Sequence, residues 1–98
     1  MKRLRLDAAA RTELLHETRY YEATRSGAGR KFREAVDSAF ARIKRAPESG
    51  KPDEEGCRRM RINGFPMSAV YREELTEIVV FAIRPDAREP GYWHKRVG

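Results

Sequence analysis

The side chains best suited to chemistry in this sequence are arginines. Arg58, Arg59 and Arg61 fall within one short segment. Because Arg59 and Arg61 are two residues apart, a strand would place both on the same face. A guanidinium group stabilises negative charge on a phosphate or a carboxylate, but its very high pKa makes it a poor proton shuttle. The segment therefore favours anion binding, and a solvated sheet face is the simpler alternative.

A second group of polar and aromatic residues lies near the C-terminus: Arg84, Arg88, Tyr92, Trp93, His94 and Arg96. Tyr92 and Trp93 directly follow Pro90-Gly91, and packing of these amphipathic rings against a sheet is the simpler interpretation of the pair. Cys57 has no histidine beside it in sequence, so we predict a strand residue and not a nucleophile. With only two histidines and one cysteine, scattered along the chain, we expect no metal site and no cofactor.

Composition limits the class of protein. A chain of 98 residues predicts one domain, spanning 1–98. Its formal net charge of +6 suits either nucleic acid or an acidic protein partner. No apolar run approaches the roughly 20 residues that cross a bilayer, so we expect no membrane association. The N-terminus does not resemble a signal peptide, and the lone cysteine suits a reducing compartment, so we expect a cytoplasmic protein.

The first half of the sequence predicts a strand followed by a helical hairpin. Lys2 to Leu6 alternates polar and apolar residues, as in a half-buried strand, and Asp7 has the position of a helix N-cap. Gly27 is predicted to end the first helix, since glycine tolerates positive φ. Pro47 is predicted to end the second. The second helix carries a stripe of apolar residues at helical spacing: Phe32, Val36, Ala39, Phe40 and Ile43.

The second half predicts three strands joined by short turns. Residues 48–56 form a polar loop by composition, and strand patterns follow at 57–62, 68–72 and 76–83. The apolar run 78–83 predicts a central strand covered on both faces. The element order is therefore β-α-α-β-β-β. It predicts an α+β fold, a small antiparallel sheet with the N-terminal helical hairpin packed on one face.

This order, together with four sequence features, resembles the RelE/ParE toxin superfamily over essentially the whole chain. The features are Gly-x-Gly-Arg-Lys-Phe at 27–32, Arg58-Arg59, Phe65-Pro66-x-Ser68-Ala69-Val70-Tyr71, and Arg88-Glu89-Pro90-Gly91-Tyr92-Trp93. The resemblance implies the toxin of a type II toxin–antitoxin module, held in a hetero-oligomer by an acidic, ParD-like antitoxin. We expect the antitoxin to lay an apolar helix or extended segment over the toxin. Arg11, Arg19 and Arg33, on the outer face of the hairpin, are the candidate ion-pair donors to it.

The resemblance leaves two branches for the target, and the ParE-like branch is favoured. Members of that branch bind DNA gyrase and trap it on cleaved DNA, so they are inhibitors and not enzymes. The residues expected to form the target-binding surface are Arg58, Arg59, Arg61, Arg84, Arg88, Tyr92, Trp93 and Arg96.

The alternative branch is a RelE-like endonuclease that cleaves mRNA on the ribosome. Its catalytic set in this chain would be Arg59, Arg61, Arg88 and Tyr92. Two departures argue against it: Ser68 stands where these nucleases place an arginine, and Pro85 where many relatives carry a histidine. Proline cannot shuttle protons, and His94 could substitute only if the tail folds back. A third possibility is a decayed or purely DNA-binding accessory protein without toxicity.

Overall fold

The computed structural model describes residues 1–98 and contains two α-helices and five strands. Their bounds are β1 Arg3–Leu6, α1 Ala8–Thr24, α2 Ala28–Arg45, β2 Lys51–Pro52, β3 Arg58–Ile62, β4 Met67–Glu73 and β5 Glu77–Pro85. Two short 3-10 helices lie at Pro47–Ser49 and His94–Arg96. The α+β class and the predicted order of elements are confirmed. No helix of the structure has both the length and the apolar character that a membrane crossing requires.

The helical hairpin begins and turns where local chemistry dictates. The Asp7 carboxylate accepts a hydrogen bond from the Ala9 N–H at 3.1 Å, which confirms the predicted N-cap. However, α1 ends at Thr24, so Gly27 does not end this helix. Gly27 has φ +87° and is the residue from which α2 starts. Gly27 does adopt the positive φ that glycine tolerates, but it lies in the turn between the helices and does not end the first one.

The sheet has the strand order β1-β5-β4-β3-β2. Strands β3, β4 and β5 are antiparallel neighbours, as predicted for the three strands of the second half, and β2 is antiparallel to β3. β1 instead runs parallel to β5, pairing Arg3–Leu6 with residues 77–80, so the complete sheet is mixed. β2 lies inside the segment predicted as a polar loop and pairs with Arg58 and Arg59. Two residues, one of them Pro52, are too few to show a strand pattern in sequence.

One face of the sheet is covered by the helical hairpin. The predicted stripe on α2 is confirmed, because Phe32, Val36, Ala39 and Ile43 are all fully buried. Phe65, in the turn between β3 and β4, packs edge-on against Phe32 with ring centroids 5.1 Å apart. This cluster joins both helices to the sheet and is the main hydrophobic core.

The other face of the sheet carries a smaller apolar cluster, which the C-terminal segment covers. Its members are Cys57, Val70, Val79, Phe81, Ala82 and Trp93. β5 is therefore buried on both faces, as its apolar run predicted. The buried environment raises the pKa of the Cys57 thiol to about 11, which disfavours the reactive thiolate.

Tyr71 of β4 fixes the segment that follows α2. Its hydroxyl donates to the Pro47 carbonyl at 2.6 Å and accepts from the Gly50 N–H at 3.0 Å. The side chain is fully buried, so no water replaces these bonds if they are lost. The tyrosine thus holds the start of β2 against the sheet.

We predict that Tyr71→Phe lowers the free energy of unfolding by about 1–3 kcal/mol, because it leaves the buried Gly50 N–H and the partly buried Pro47 carbonyl without their partner. Urea unfolding followed by circular dichroism measures the difference. The matched control is Tyr20→Phe, at a side chain that is 57% exposed. Equal stability of the two variants would show that the Tyr71 hydroxyl contributes nothing.

Candidate functional site

The face of the sheet opposite the hairpin contains a polar depression, here called the basic pocket. It is lined by Ser49, Gly50, Lys51, Arg59, Met60, Arg61, Ser68, Arg84 and Asp86, and has a volume of about 420 Å³. Only one of its nine lining residues is hydrophobic. The pocket lies beside the apolar cluster that Trp93 completes, so the same face of the sheet has a covered apolar half and an uncovered basic half.

Strand alternation and register bring the arginines of the basic pocket together. Met60 and Ile62 point into the core beneath the hairpin, so Arg59 and Arg61 point to the opposite face. Arg61 is paired with Ser68 of β4, which is paired in turn with Arg84 of β5. Residues directly opposite each other in a sheet share a face. Arg61, Ser68 and Arg84 therefore form one row across three strands.

The basic pocket carries more positive than negative charge. Four of its lining residues are cations and one, Asp86, is a carboxylate. Asp86 binds Arg61 at 2.8 Å, and Asp53, outside the lining, lies 3.6 Å from Arg59. The Arg61–Asp86 pair is about half exposed, and exposed ion pairs contribute only about 0–1 kcal/mol. Arg84 makes no ion pair, and its Nε is buried without a hydrogen-bond partner.

Arg58 lies apart from this group. Its alternation with Arg59 places it on the hairpin side of the sheet, where its Nη1 donates to the Gly50 carbonyl at 2.9 Å. Of the residues expected on the target-binding surface, the structure thus brings Arg59, Arg61 and Arg84 together. Arg58 instead binds the main-chain carbonyl of Gly50.

The C-terminal tail, residues 91–98, is fixed by Glu13 of α1. The Arg96 guanidinium binds both Glu13 oxygens, at 2.9 and 3.0 Å, and the Tyr92 hydroxyl donates to Glu13 Oε2 at 2.9 Å. Trp93 is 1% exposed, within the apolar cluster. These contacts make Tyr92, Trp93 and Arg96 the residues that attach the tail to the fold.

Glu13 also completes the edge of β5. β1 pairs with β5 only as far as Val80, which leaves the backbone beyond it without a strand partner. Glu13 Oε1 accepts from the Ile83 N–H at 3.0 Å, and Arg96 donates to the Phe81 carbonyl at 3.0 Å. Sequence reasoning missed this role of Glu13. The available signal was its position among the buried residues of α1, one residue before Leu14.

Arg88 and His94 are engaged with the tail and its neighbours. The Arg88 guanidinium lies over the Tyr92 ring, 3.9 Å from its centroid, and His94 Nε2 lies 2.8 Å from Glu54 Oε1. Neither residue lines the basic pocket. Burial and the hydrogen bond to Glu13 raise the pKa of Tyr92 above its ordinary value of 10.0. The residues of the nuclease alternative are therefore divided between the pocket and the tail.

A second surface, here called the hairpin groove, lies between the two helices and β1. It is lined by Leu4, Leu6, Arg11, Leu14, Leu15, Arg33, Asp37, Phe40 and Lys44, and has a volume of about 460 Å³. Five of these residues are hydrophobic, and Leu15 is 48% exposed. Arg11 and Arg33 line the groove as the expected antitoxin contacts would. Arg19 is exposed on α1 but lies outside the lining.

A family model described as "ParE toxin of type II toxin-antitoxin system, parDE" matches residues 4–90. Among solved structures, the chain is similar to one from the chromosomal ParDE toxin–antitoxin system of P. aeruginosa, with a TM-score of 0.65 and 23% identity. The alignment covers 87% of this chain and 96% of that chain. At this identity the likeness shows the fold alone. A search of the curated proteins finds no match.

Proposed function

Because the chain belongs to the ParE toxin family of type II toxin–antitoxin systems, we propose that it inhibits DNA gyrase when free and is neutralised by a cognate antitoxin in the cytoplasm. In this proposal the complex of gyrase with its DNA contacts the uncovered face of the sheet, through Arg59, Arg61 and Arg84, with Arg88 beside the tail. The antitoxin occupies the hairpin groove on the other side of the sheet.

The observation that carries the choice of gyrase over mRNA is the position of Tyr92. Cleavage through a 2′-hydroxyl needs a group that can move a proton beside the arginines that stabilise the phosphorane. The Tyr92 hydroxyl instead donates to Glu13, and its pKa is raised, so loss of its proton is disfavoured. The basic pocket is lined by neither tyrosine nor histidine. This arrangement supports binding of a target more than catalysis on it.

The hairpin groove supports the location proposed for the antitoxin. Its leucines and Phe40 offer an apolar floor, and Arg11, Arg33 and Lys44 surround it with positive charge. An acidic segment with apolar residues at helical or strand spacing matches both properties. β1 is an edge strand, so its outer backbone groups are also available to an extended segment. Arg19 would be contacted only if the antitoxin extends along α1 beyond the groove.

We predict that the purified chain inhibits gyrase supercoiling and leaves ribosome-bound mRNA intact. Tyr92→Phe should retain inhibition within about twofold, because the ring keeps its packing and only a structural hydrogen bond is lost. Agarose-gel supercoiling assays and primer extension on translated mRNA measure the two activities in parallel.

Cleaved mRNA with normal supercoiling would contradict the gyrase proposal. A Tyr92→Phe variant that had lost mRNA cleavage would then identify the tail as catalytic. Circular dichroism of the variant, compared with the unchanged chain, verifies that both samples are folded.

We further predict that Arg11→Glu combined with Arg33→Glu weakens binding of the cognate antitoxin at least about tenfold, or about 1.4 kcal/mol. Both side chains are exposed, so the fold should tolerate the change. Isothermal titration calorimetry measures the affinity, and gyrase inhibition should be unaffected. Arg25→Glu, at the exposed end of α1, is the matched control. Unchanged antitoxin affinity in the double variant would place the antitoxin elsewhere.

A further inference from the structure

We propose that the basic pocket is a binding site for the phosphodiester backbone of DNA, which the toxin would contact directly while it acts on gyrase. The presence of an anion site is inferred from the pocket alone. The choice of DNA as the source of the phosphate rests on the proposed function, because gyrase holds DNA.

The donors in the pocket are arranged as a row. Arg61, Ser68 and Arg84 lie opposite one another on β3, β4 and β5. Neighbouring strands are about 4.8 Å apart, so the two arginines start about 10 Å apart with the serine hydroxyl between them. Each guanidinium can donate two parallel hydrogen bonds to a phosphate, and the hydroxyl supplies a further donor. Ser68 is only 6% exposed, so its side chain belongs to the floor of the pocket.

The pocket carries excess positive charge and one hydrogen-bond donor without a partner. Arg84 Nε is buried without a hydrogen-bond partner, and a buried donor left in this state is unfavourable. Lys51, Arg59, Arg61 and Arg84 line the pocket, and two carboxylates offset them, Asp86 within the lining and Asp53 beside it. Repulsion among like charges on one sheet face is unfavourable. A bound phosphate would neutralise part of this charge and accept hydrogen bonds from the arginines that line the pocket.

The two nearby carboxylates do not block such a ligand. Asp86 and its partner Arg61 are 46% and 54% exposed in their side chains, so their ion pair is screened by water. Arg61 can keep a second donor for a phosphate, because only its Nη1 binds Asp86. The Arg59–Asp53 contact is longer, at 3.6 Å.

The type of recognition follows from these donors. Arginine, lysine and serine side chains on a sheet face can bind phosphate oxygens, which carry no sequence information. We therefore expect binding of DNA that is independent of sequence and falls steeply with salt, since each neutralised phosphate releases bound counterions.

The experiment is fluorescence anisotropy of the full-length chain with a short labelled DNA duplex at several salt concentrations. We expect Arg61→Gln and Arg84→Gln each to weaken binding about fivefold or more. Each should also make the slope of log K against log salt shallower by about 0.9. The matched control is Arg30→Gln, which removes the same charge from an exposed residue of α2. Because Arg30 lies outside the pocket, we expect this variant to change the salt slope less than the pocket variants do. Arg61 is exposed, so at least one variant should fold normally.

Three results would overturn the proposal. In the first, both pocket variants bind DNA as the Arg30→Gln control does. In the second, single-stranded RNA of equal length binds through the pocket and duplex DNA does not. In the third, inorganic phosphate binds through the pocket arginines while DNA does not, which would make it a site for a small anion.

The same variants separate this proposal from the proposed function. If the unchanged chain inhibits gyrase and pocket variants keep their affinity for DNA, the phosphodiester site is wrong and gyrase inhibition stands. If DNA binding depends on the pocket but supercoiling is not inhibited, the gyrase proposal fails and the site itself stands.

Discussion

The fold depends on a mismatch of length between two neighbouring strands. β5 has nine residues, but its parallel partner β1 has four and pairs only with the first part of it. The remaining edge of β5 would expose backbone groups next to the core, where unpaired N–H and C=O groups are costly. Glu13 resolves this by accepting from the Ile83 N–H and binding Arg96, which donates to the Phe81 carbonyl. One partly buried carboxylate therefore replaces a missing piece of strand.

The division of the sheet face follows from this contact. Once Arg96 and Tyr92 are held by Glu13, Trp93 lies over Val70, Val79 and Phe81 and covers the apolar half of the face opposite the hairpin. The half that remains uncovered is the basic pocket. The hairpin groove lies on the other side of the sheet, between the helices and β1. The surface proposed for the target and the surface proposed for the antitoxin therefore lie on opposite sides of the sheet.

The sequence could predict the elements whose patterns are local. The alternation before Asp7 and the stripe on α2 each reflect one buried face, the apolar run of β5 reflects two, and each prediction is confirmed. The parallel pairing of β1 could not be predicted from the sequence, because the direction of this strand is decided by contacts with residues about 70 positions away. β2 is fixed by Tyr71 and by pairing with β3, and the residues Lys51 and Pro52 do not themselves predict a strand.

The site residues divide in the same way. The spacing of two residues correctly predicted that Arg59 and Arg61 share one face of the sheet. The register between strands, which the structure supplies, places Ser68 and Arg84 beside Arg61. Tyr92 and Arg96 are instead held by Glu13, which belongs to none of the sequence motifs, and Trp93 is buried in the apolar cluster. The sequence shows Ser68 only as a residue that stands where the nucleases have an arginine. In the structure it lies between Arg61 and Arg84 in the pocket. Their roles in target binding remain predictions.

The central claim is that the Glu13 carboxylate closes the edge of β5 and thereby fixes the tail. Native-state hydrogen exchange at the Ile83 amide tests it most directly, in the unchanged chain and in Glu13→Ala, with Glu17→Ala one turn further along α1 as the control. The account predicts that Glu13→Ala speeds exchange at Ile83 by about tenfold or more, relative to the amides of β4, and also exposes Trp93 to fluorescence quenchers. Equal protection of Ile83 in both variants, with Trp93 still shielded, would contradict it.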